Sequence, residues 1–388
     1  MGQCVSSQRI VLRVLILAAF VSMVDRSAMA PLIPVIADDM NASITSVGDS
    51  LAVYAISYAA MQLAWSALST RWGRIRILAV STGVAGLANI ATVVSSDPVT
   101  FLVARGASGA AFAATFTAVL IYFGDTLSMR QRAVATANLA AAVSLGMAAG
   151  TLGAGVIAQW WSWRIVFAVI AGACVILTIV LLRLPNPMTA ERERVLPSLM
   201  RLGRNRWAIA ILGLTVLEGI LLVGIFNYLP VSLQSRGESV LVASLATAAF
   251  GVAVIAFSQL MKLVIRHWPA WLLLLVGGTS TVTAYSILGW KISPVTGFIA
   301  AALLGLCWAL AHTTMQTWMT DAVADGRAIG MSFFSIALFA GASIGAALGN
   351  IAAAESHFDY LFIGAAIAAV TFVVGSSSAR GRYREKEG

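Results

Sequence analysis

The chain has 388 residues, 60% of them hydrophobic and 11% charged, with a formal net charge of +9. A soluble chain of this length needs far more charge to cover its surface, so that class is excluded. Apolar runs of about twenty residues recur from end to end, each long enough as a helix to cross ~30 Å of hydrocarbon. The expected fold class is therefore an all-α polytopic membrane protein.

Twelve spans are expected, first at 10–34, 47–68, 75–94, 100–123, 133–158 and 165–182. The second set is 207–231, 240–265, 271–290, 294–319, 328–352 and 360–375. Residues 1–182 then form one six-helix bundle and 207–388 a second bundle with a short tail. Between them, 183–206 is a basic linker holding six arginines and three prolines. The opening Met1–Ser6 stretch fits a myristoylation pattern, with Cys4 as a second lipid site. A chain with many spans gains nothing from such an anchor, and no small-residue cleavage site follows the first segment, so it reads as a retained helix. Neither Cys4 nor Cys174 and Cys307 has metal-ligand spacing.

Helix 1 carries Asp25 and Arg26 in the middle of an apolar run. On insertion scales an ionised side chain at mid-bilayer is unfavourable by roughly 2.5–3.5 kcal/mol, so such residues persist where they meet a partner or a polar cavity. Arg26 lies ~100° round the helix from Asp25. It is expected to pair elsewhere or to reach toward the outer surface, and its role stays open. Helix 2 has Tyr54, Tyr58 and Gln62 at i, i+4 and i+8, on one face that should point inward. Arg71, Gly73 and Arg74 follow in the loop. Arg105 stands five residues inside helix 4, about 7 Å deep, where it can meet Asp25. Asp125 ends that helix and is expected to meet a loop arginine such as Arg71, Arg130 or Arg327. Helix 5 supplies Asn138, Gly146 and Gly150. Helix 7 supplies Glu218 near its centre, then Asn227 and Tyr228. Helix 10 supplies His312 and Gln316 and ends at Asp321. Helix 11 carries Gly341 and Gly345.

Lys and Arg number twenty on the N-terminal side of the expected spans, against Arg164, Arg236 and Lys291 on the other. That bias puts both termini in the cytoplasm. It marks arginines that set topology and meet anionic lipid, so no nucleic-acid partner is expected. The arginine excess over lysine, 22 to 3, suits a GC-rich bacterial source. The halves also repeat. A shift of 195 residues carries Arg132 onto Arg327, Gly146 onto Gly341, Gly150 onto Gly345 and Arg71 onto Arg266. Two bundles in the same orientation are the internal symmetry of one transporter class. Under that shift Glu218 falls on Met23, two residues from Asp25.

Six plus six helices around a long basic loop resemble the major facilitator superfamily. The Leu68–Arg76 loop resembles its signature between helices 2 and 3 at Arg71, Gly73 and Arg74. It departs at Thr70, where the family has aspartate, and at Ser66, where it has glycine. Arg105 to Gly109 is similar to the family's Arg-x-x-x-Gly element. Gly146 to Gly155 resembles the antiporter motif, with Thr151 and Ala154 in place of a proline and a glycine. The resemblance implies two pseudo-symmetric six-helix bundles and a secondary transporter of the twelve-helix drug:proton antiporter type.

From the residues, Asp25 and Glu218 with Arg105 read as proton-coupling groups. A carboxyl group in low-dielectric surroundings holds its proton more tightly, and a nearby guanidinium opposes this. A static ion pair tying helix 1 to helix 4 is the alternative. Tyr54, Tyr58, Gln62, Asn138, Asn227, Tyr228, His312 and Gln316 are candidates to line a substrate cavity, with interhelical hydrogen bonding as the alternative. Arg71, Gly73, Arg74, Asp125 and Asp321 read as gating or structural groups. Gly146, Gly150, Gly341 and Gly345 are expected to form seams on which one half rocks against the other. The expected function is proton-coupled export of small amphipathic, neutral or cationic compounds by a monomer without a cofactor. Its expected place is the inner (plasma) membrane. A proton symporter importing a metabolite and a non-transporting receptor are the alternatives. The chain shows no metal-ligand constellation, nucleophile–base pattern or phosphate-cradling loop, so an enzyme is not expected.

Overall fold

The computed structural model describes residues 2–186, 202–264, 267–323 and 327–383, and among these the chain is helical with no strand. Met1, most of the expected linker, Arg266 and the side chains of Cys4 and Arg327 lie outside the described part. The helices of the first half are α1 (Gly2–Asp39), α2 (Ile44–Trp72), α3 (Arg74–Val94), α4 (Pro98–Thr126), α5 (Met129–Trp160) and α6 (Trp163–Leu182). Those of the second are α7 (Arg206–Gln234), α8 (Val240–Val264), α9 (Ala270–Trp290), α10 (Pro294–Ala322), α11 (Arg327–Glu355) and α12 (Phe358–Arg382). Eleven of them, α2 to α12, are long and apolar enough to cross a membrane. The longest, α1, with 38 residues, packs among them. Each expected span coincides with one helix.

Local chemistry fixes where the helices begin. Ser43 caps α2 by accepting the Ser46 amide at 3.1 Å. Asp97 accepts the amides of Val99 and Thr100, each at 3.0 Å, with Pro98 at the first position of α4. Ser293 and Pro294 do the same for α10. In each case a polar cap meets amides that have no partner inside the helix, and proline sits where no amide is needed.

Helices α1 to α6 pack on one another, as do α7 to α12, and the contacts repeat. In the first half α1 meets α5, α2 meets α4 and α3 meets α6. In the second α7 meets α11, α8 meets α10 and α9 meets α12. Two broad contacts join the halves, α2 on α11 and α5 on α8, and α1 also touches α7 and α8.

The expected glycine seams lie within each half instead. A Cβ on Gly150 would stand 2.6 Å from the Val24 carbonyl of α1, and one on Gly345 would stand 2.9 Å from Ile220 Cα of α7. Gly146 and Gly341 face the same partners. Glycine spacing marks a close approach but does not say which helix approaches. Between the halves that role falls to Gly251 of α8, where a Cβ would stand 2.8 Å from that of Ala148 on α5, and to Gly155, set against Ser244.

These joints close one side of the molecule. Asn350 donates to Asp49 Oδ1 at 2.6 Å and to the Thr45 carbonyl at 2.8 Å, and Ser343 donates to the Ala52 carbonyl at 3.1 Å. Gln234 donates to the Pro31 carbonyl at 2.9 Å. On the other side, which carries the chain's termini, the halves enclose a cavity of about 290 Å³.

Candidate functional site

Asp25 is fully buried on α1, and Arg105 of α4 grips it with a two-pronged fork, Nη1 to Oδ1 at 2.9 Å and Nη2 to Oδ2 at 3.1 Å. Ser108 Oγ donates to Oδ2 at 3.1 Å. Asn89 of α3 accepts from Arg105 at 3.5 Å and donates to Ser108 at 3.3 Å. The guanidinium also lies 4.9 Å from the Phe167 ring and 5.2 Å from that of Tyr54. A charge pair this deep persists because both carboxylate oxygens and both terminal nitrogens of the guanidinium find partners, while Arg105 Nε has none among the described residues, so three helices of the first half are pinned at one point. The sequence brought the acid and the arginine together correctly. It missed Ser108, three residues from Arg105 and so on the same helix face, and Asn89.

The second half repeats the arrangement with different chemistry. Glu218 of α7 is fully buried, and its Oε1 lies 3.1 Å from His312 Nδ1 on α10. His312 Nε2 lies 3.0 Å from the Gln316 amide nitrogen, and its ring stacks on Trp308 at 3.9 Å. Glu218 Oε2 has no partner among the described residues. An amide nitrogen can only donate, so His312 Nε2 accepts and Nδ1 carries the proton directed at Glu218. Both helices are irregular at this point. α7 passes through a π-turn at Ile220–Gly224 and a 3₁₀ turn at Ile225–Tyr228, and α10 through a π-turn at Trp308–His312. Such turns interrupt the regular backbone ladder and recur at functional sites. No simple periodicity announced them.

The cavity lies between these two pairs. Tyr58, His312 and Gln316 line it, along with Arg26, Trp308 and Phe339. Tyr58 and Phe339 stack across the halves with ring centres 3.8 Å apart. Asn227 lines two small hollows beside it, and Arg26 lines both of those too. Tyr54 lines one of those hollows with them, its ring against Arg105, and three candidates fall elsewhere. Gln62 is buried and donates to Thr117. Tyr228 is buried against Gly349 with its hydroxyl reaching toward Gly48 of α2, and Asn138 is exposed outside the cavity lining. A helix turns ~100° per residue, so a polar stripe slightly off axis points its ends into different neighbours.

Arg26 corrects a further expectation. It neither pairs with an acid nor reaches the surface. It is half-buried, and its guanidinium lies 5.4 Å from the Phe339 ring of the other half. Among the described residues lining the cavity it is the one arginine, and none is a carboxylate.

At the terminus side Asp125 pairs with Arg74 at 3.5 Å; of the arginines expected for it, Arg71 and Arg130 are exposed and the side chain of Arg327 lies outside the described part. Arg74 also donates to Ser69 at 2.5 Å. Gly73 is needed there: its φ is +87°, a conformation that side chains rarely adopt. Asp321 is exposed at the end of α10.

A family model described as the Major Facilitator Superfamily matches residues 15–330. The chain belongs to the Major Facilitator Superfamily. An efflux pump named apf11, from the Gibberella fujikuroi strain CBS 195.34, is 25% identical over 236 residues. That match covers 60% of this chain and 41% of the pump's length. Solved members of the superfamily share the fold. The nucleoside transporter NupG superposes with a TM-score of 0.76 at 11% identity, covering 96% of this chain and 99% of that one. A bacterial homolog of the human lysosomal transporter Spinster, in an inward-facing and unoccupied conformation, gives 0.76 at 13%, covering 98% and 99%. A D-xylose–proton symporter gives 0.74 at 15%, covering 93% and 96%. The chain is thus a multi-pass membrane protein with the architecture of a transporter.

Proposed function

We propose that this chain is a proton-coupled secondary transporter that exports small amphipathic compounds by alternating access, with Asp25 and Glu218 as its proton-carrying groups. One observation carries the reading. In each half a buried acid on the first helix meets a base on the fourth, beside a cavity that both halves line and that is shut on one side. An acid–base contact of this kind has two arrangements. When the halves rock, the base withdraws or water enters, and the acid takes up or releases a proton.

In the arrangement described here both carboxylate oxygens of Asp25 accept side-chain hydrogen bonds, three in all. Withdrawal of Arg105 would leave Oδ1 free to take a proton. Glu218 communicates with the cavity through His312 and Gln316. A proton arriving at His312 Nε2 makes both ring nitrogens donors, turns the Gln316 amide, and allows the Nδ1 proton to pass to Glu218. The Arg74–Asp125 pair and Asp321 act at the gate on the terminus side, and Tyr58, Asn227, His312 and Gln316 touch cargo. The charge bias of the loops supports cytoplasmic termini in a bacterial inner membrane, so the cavity receives cargo from inside the cell. One chain holds the whole path and acts as a monomer. The efflux relative supports export. The solved neighbours that carry nucleosides and xylose favour import with protons as a second reading.

The test is transport in proteoliposomes under an imposed proton gradient, across a panel of amphipathic compounds. Cargo should move against the proton flux. Movement with the protons makes the chain a symporter, and movement indifferent to the gradient overturns the coupling.

A further inference from the structure

Arg26 is the one arginine of the described cavity wall, and the proton reading leaves it without work. It sits beside Asp25 on α1, but both carboxylate oxygens of Asp25 are held by Arg105 and Ser108. No ion pair or hydrogen bond holds the Arg26 guanidinium among the described residues; it lies over the face of Phe339, with Tyr54 and Tyr58 near enough to interact electrostatically. The side chain stands where three hollows meet, the central cavity and two smaller ones, the latter shared with Asn227 of the opposite half. A guanidinium carries five N–H donors and is never deprotonated under ordinary conditions. Half-buried in the middle of a membrane protein, it lacks the hydrogen-bonded partner that Asp25, Arg105 and Glu218 each possess.

Resting on the proposal that the cavity holds cargo, we propose that Arg26 is the recognition group for a carboxylate on an otherwise apolar cargo, so that the transported compounds are amphipathic organic monoanions. The surroundings favour a single negative charge. A planar fork matches one carboxylate with two parallel hydrogen bonds. A doubly charged phosphate would need a second cation, and none is free: Arg105, which lines one of the smaller hollows, is held by Asp25, and the nitrogens of His312 are engaged by Glu218 and Gln316. The cavity wall near Arg26 is aromatic and aliphatic, with Tyr58, Trp308, Phe334, Leu338 and Phe339, and suits the apolar body of such a compound. The position also gives cargo a means to move the protein. A carboxylate drawn onto Arg26 competes with the Phe339 ring, and that ring belongs to the other half. Binding therefore acts on a contact across the rocking interface. An inside-negative potential then favours outward movement of the anion.

The experiment measures binding to the purified full-length protein without any gradient. The probes are 4-butylbenzoate, its methyl ester and 4-butylbenzylamine, which share an apolar body and differ in charge. Binding is read by quenching of tryptophan fluorescence, to which Trp308 in the cavity wall contributes, and by the shift in Tm. The carboxylate should bind at least tenfold tighter than the ester or the amine. Arg26→Met should lose that preference and Arg26→Lys should keep part of it, with size-exclusion profiles like the parent's. Equal or tighter binding of the amine, or no carboxylate preference at millimolar concentration, overturns the proposal without recourse to any variant. An unchanged preference in a folded Arg26→Met protein overturns it as well and leaves Arg26 as a contact between the halves. Because no gradient is present, failure of proton coupling would leave this result untouched. Carboxylate binding with gradient-independent transport sinks the proton reading alone.

Discussion

Replacing Asp25 with asparagine separates a titrating acid from a structural tie, provided that stability is followed together with transport. The side chain of Asp25 is 0% exposed and that of Arg105 is 1% exposed. Asp25→Asn retains an oxygen for Ser108 but leaves the guanidinium as a buried charge without its counter-ion. Removing one member of such a pair costs about 3–5 kcal/mol. That is a large share of the 5–15 kcal/mol typical of a folded domain. A loss of transport in this variant therefore has two causes, instability and loss of titration. The second variant resolves them. Asp25→Asn combined with Arg105→Gln removes both charges and leaves neutral groups that can bond to one another, to Ser108 and to Asn89. It should recover most of the stability, so the interaction energy in the double-mutant cycle should be at least about 2 kcal/mol. Gradient-driven transport, measured in proteoliposomes at matched protein content, should stay below a tenth of the parent's in both variants. If the double variant regains both stability and gradient-driven transport, Asp25 carries no proton and the pair is a structural tie.

Glu218→Gln should keep the contact to His312 yet lose proton drive by more than tenfold, while His312→Asn should shift the pH profile of transport; full proton-driven transport in both would remove the second half from the coupling. Gly150→Leu forces a side chain into the α1 backbone within one half, so it should reduce the yield of monodisperse protein, whereas Gly155→Leu should spare folding and prop open the joint between the halves, as read by cross-linking of cysteines placed at Thr45 and Asn350. For topology, a cysteine at Lys291 should react with an impermeant reagent in intact cells and one at Arg130 should not, and the reverse pattern would invert the orientation. At the closed side, beyond the membrane-spanning part of α1, a hydrogen bond from Arg164 holds the Asp39 carboxyl below its ordinary range. Its folded-state affinity for protons is lower than in the unfolded chain, so its contribution is present above the ordinary carboxylate pKa and fades as pH falls through the lowered value. The fall of Tm on acidification should accordingly be shallower in Asp39→Asn than in the parent, and an identical slope would show that the bond contributes nothing measurable.

The sequence by itself determined the number and order of the helices, because apolar length and capping residues act within one segment and need no partner. Ser43, Asp97 and Ser293 start their helices through hydrogen bonds to amides at most three residues away. It also set the pairing of Asp25 with Arg105, since two opposite charges at similar depth in a low-dielectric slab have few other ways to be satisfied. Only the tertiary structure decided which helix each face meets. Gly150 announced a close contact, but the contact proved to be α1 in its own half. Gln62 and Tyr58 share a stripe, yet one turns to Thr117 within the first half and the other to Phe339 across the cavity. Neither the partnership of His312 with Glu218 nor the solitude of Arg26 follows from spacing along the chain. Helix periodicity fixes direction around one axis, while the rotation of one helix against the next is settled by packing of the whole bundle.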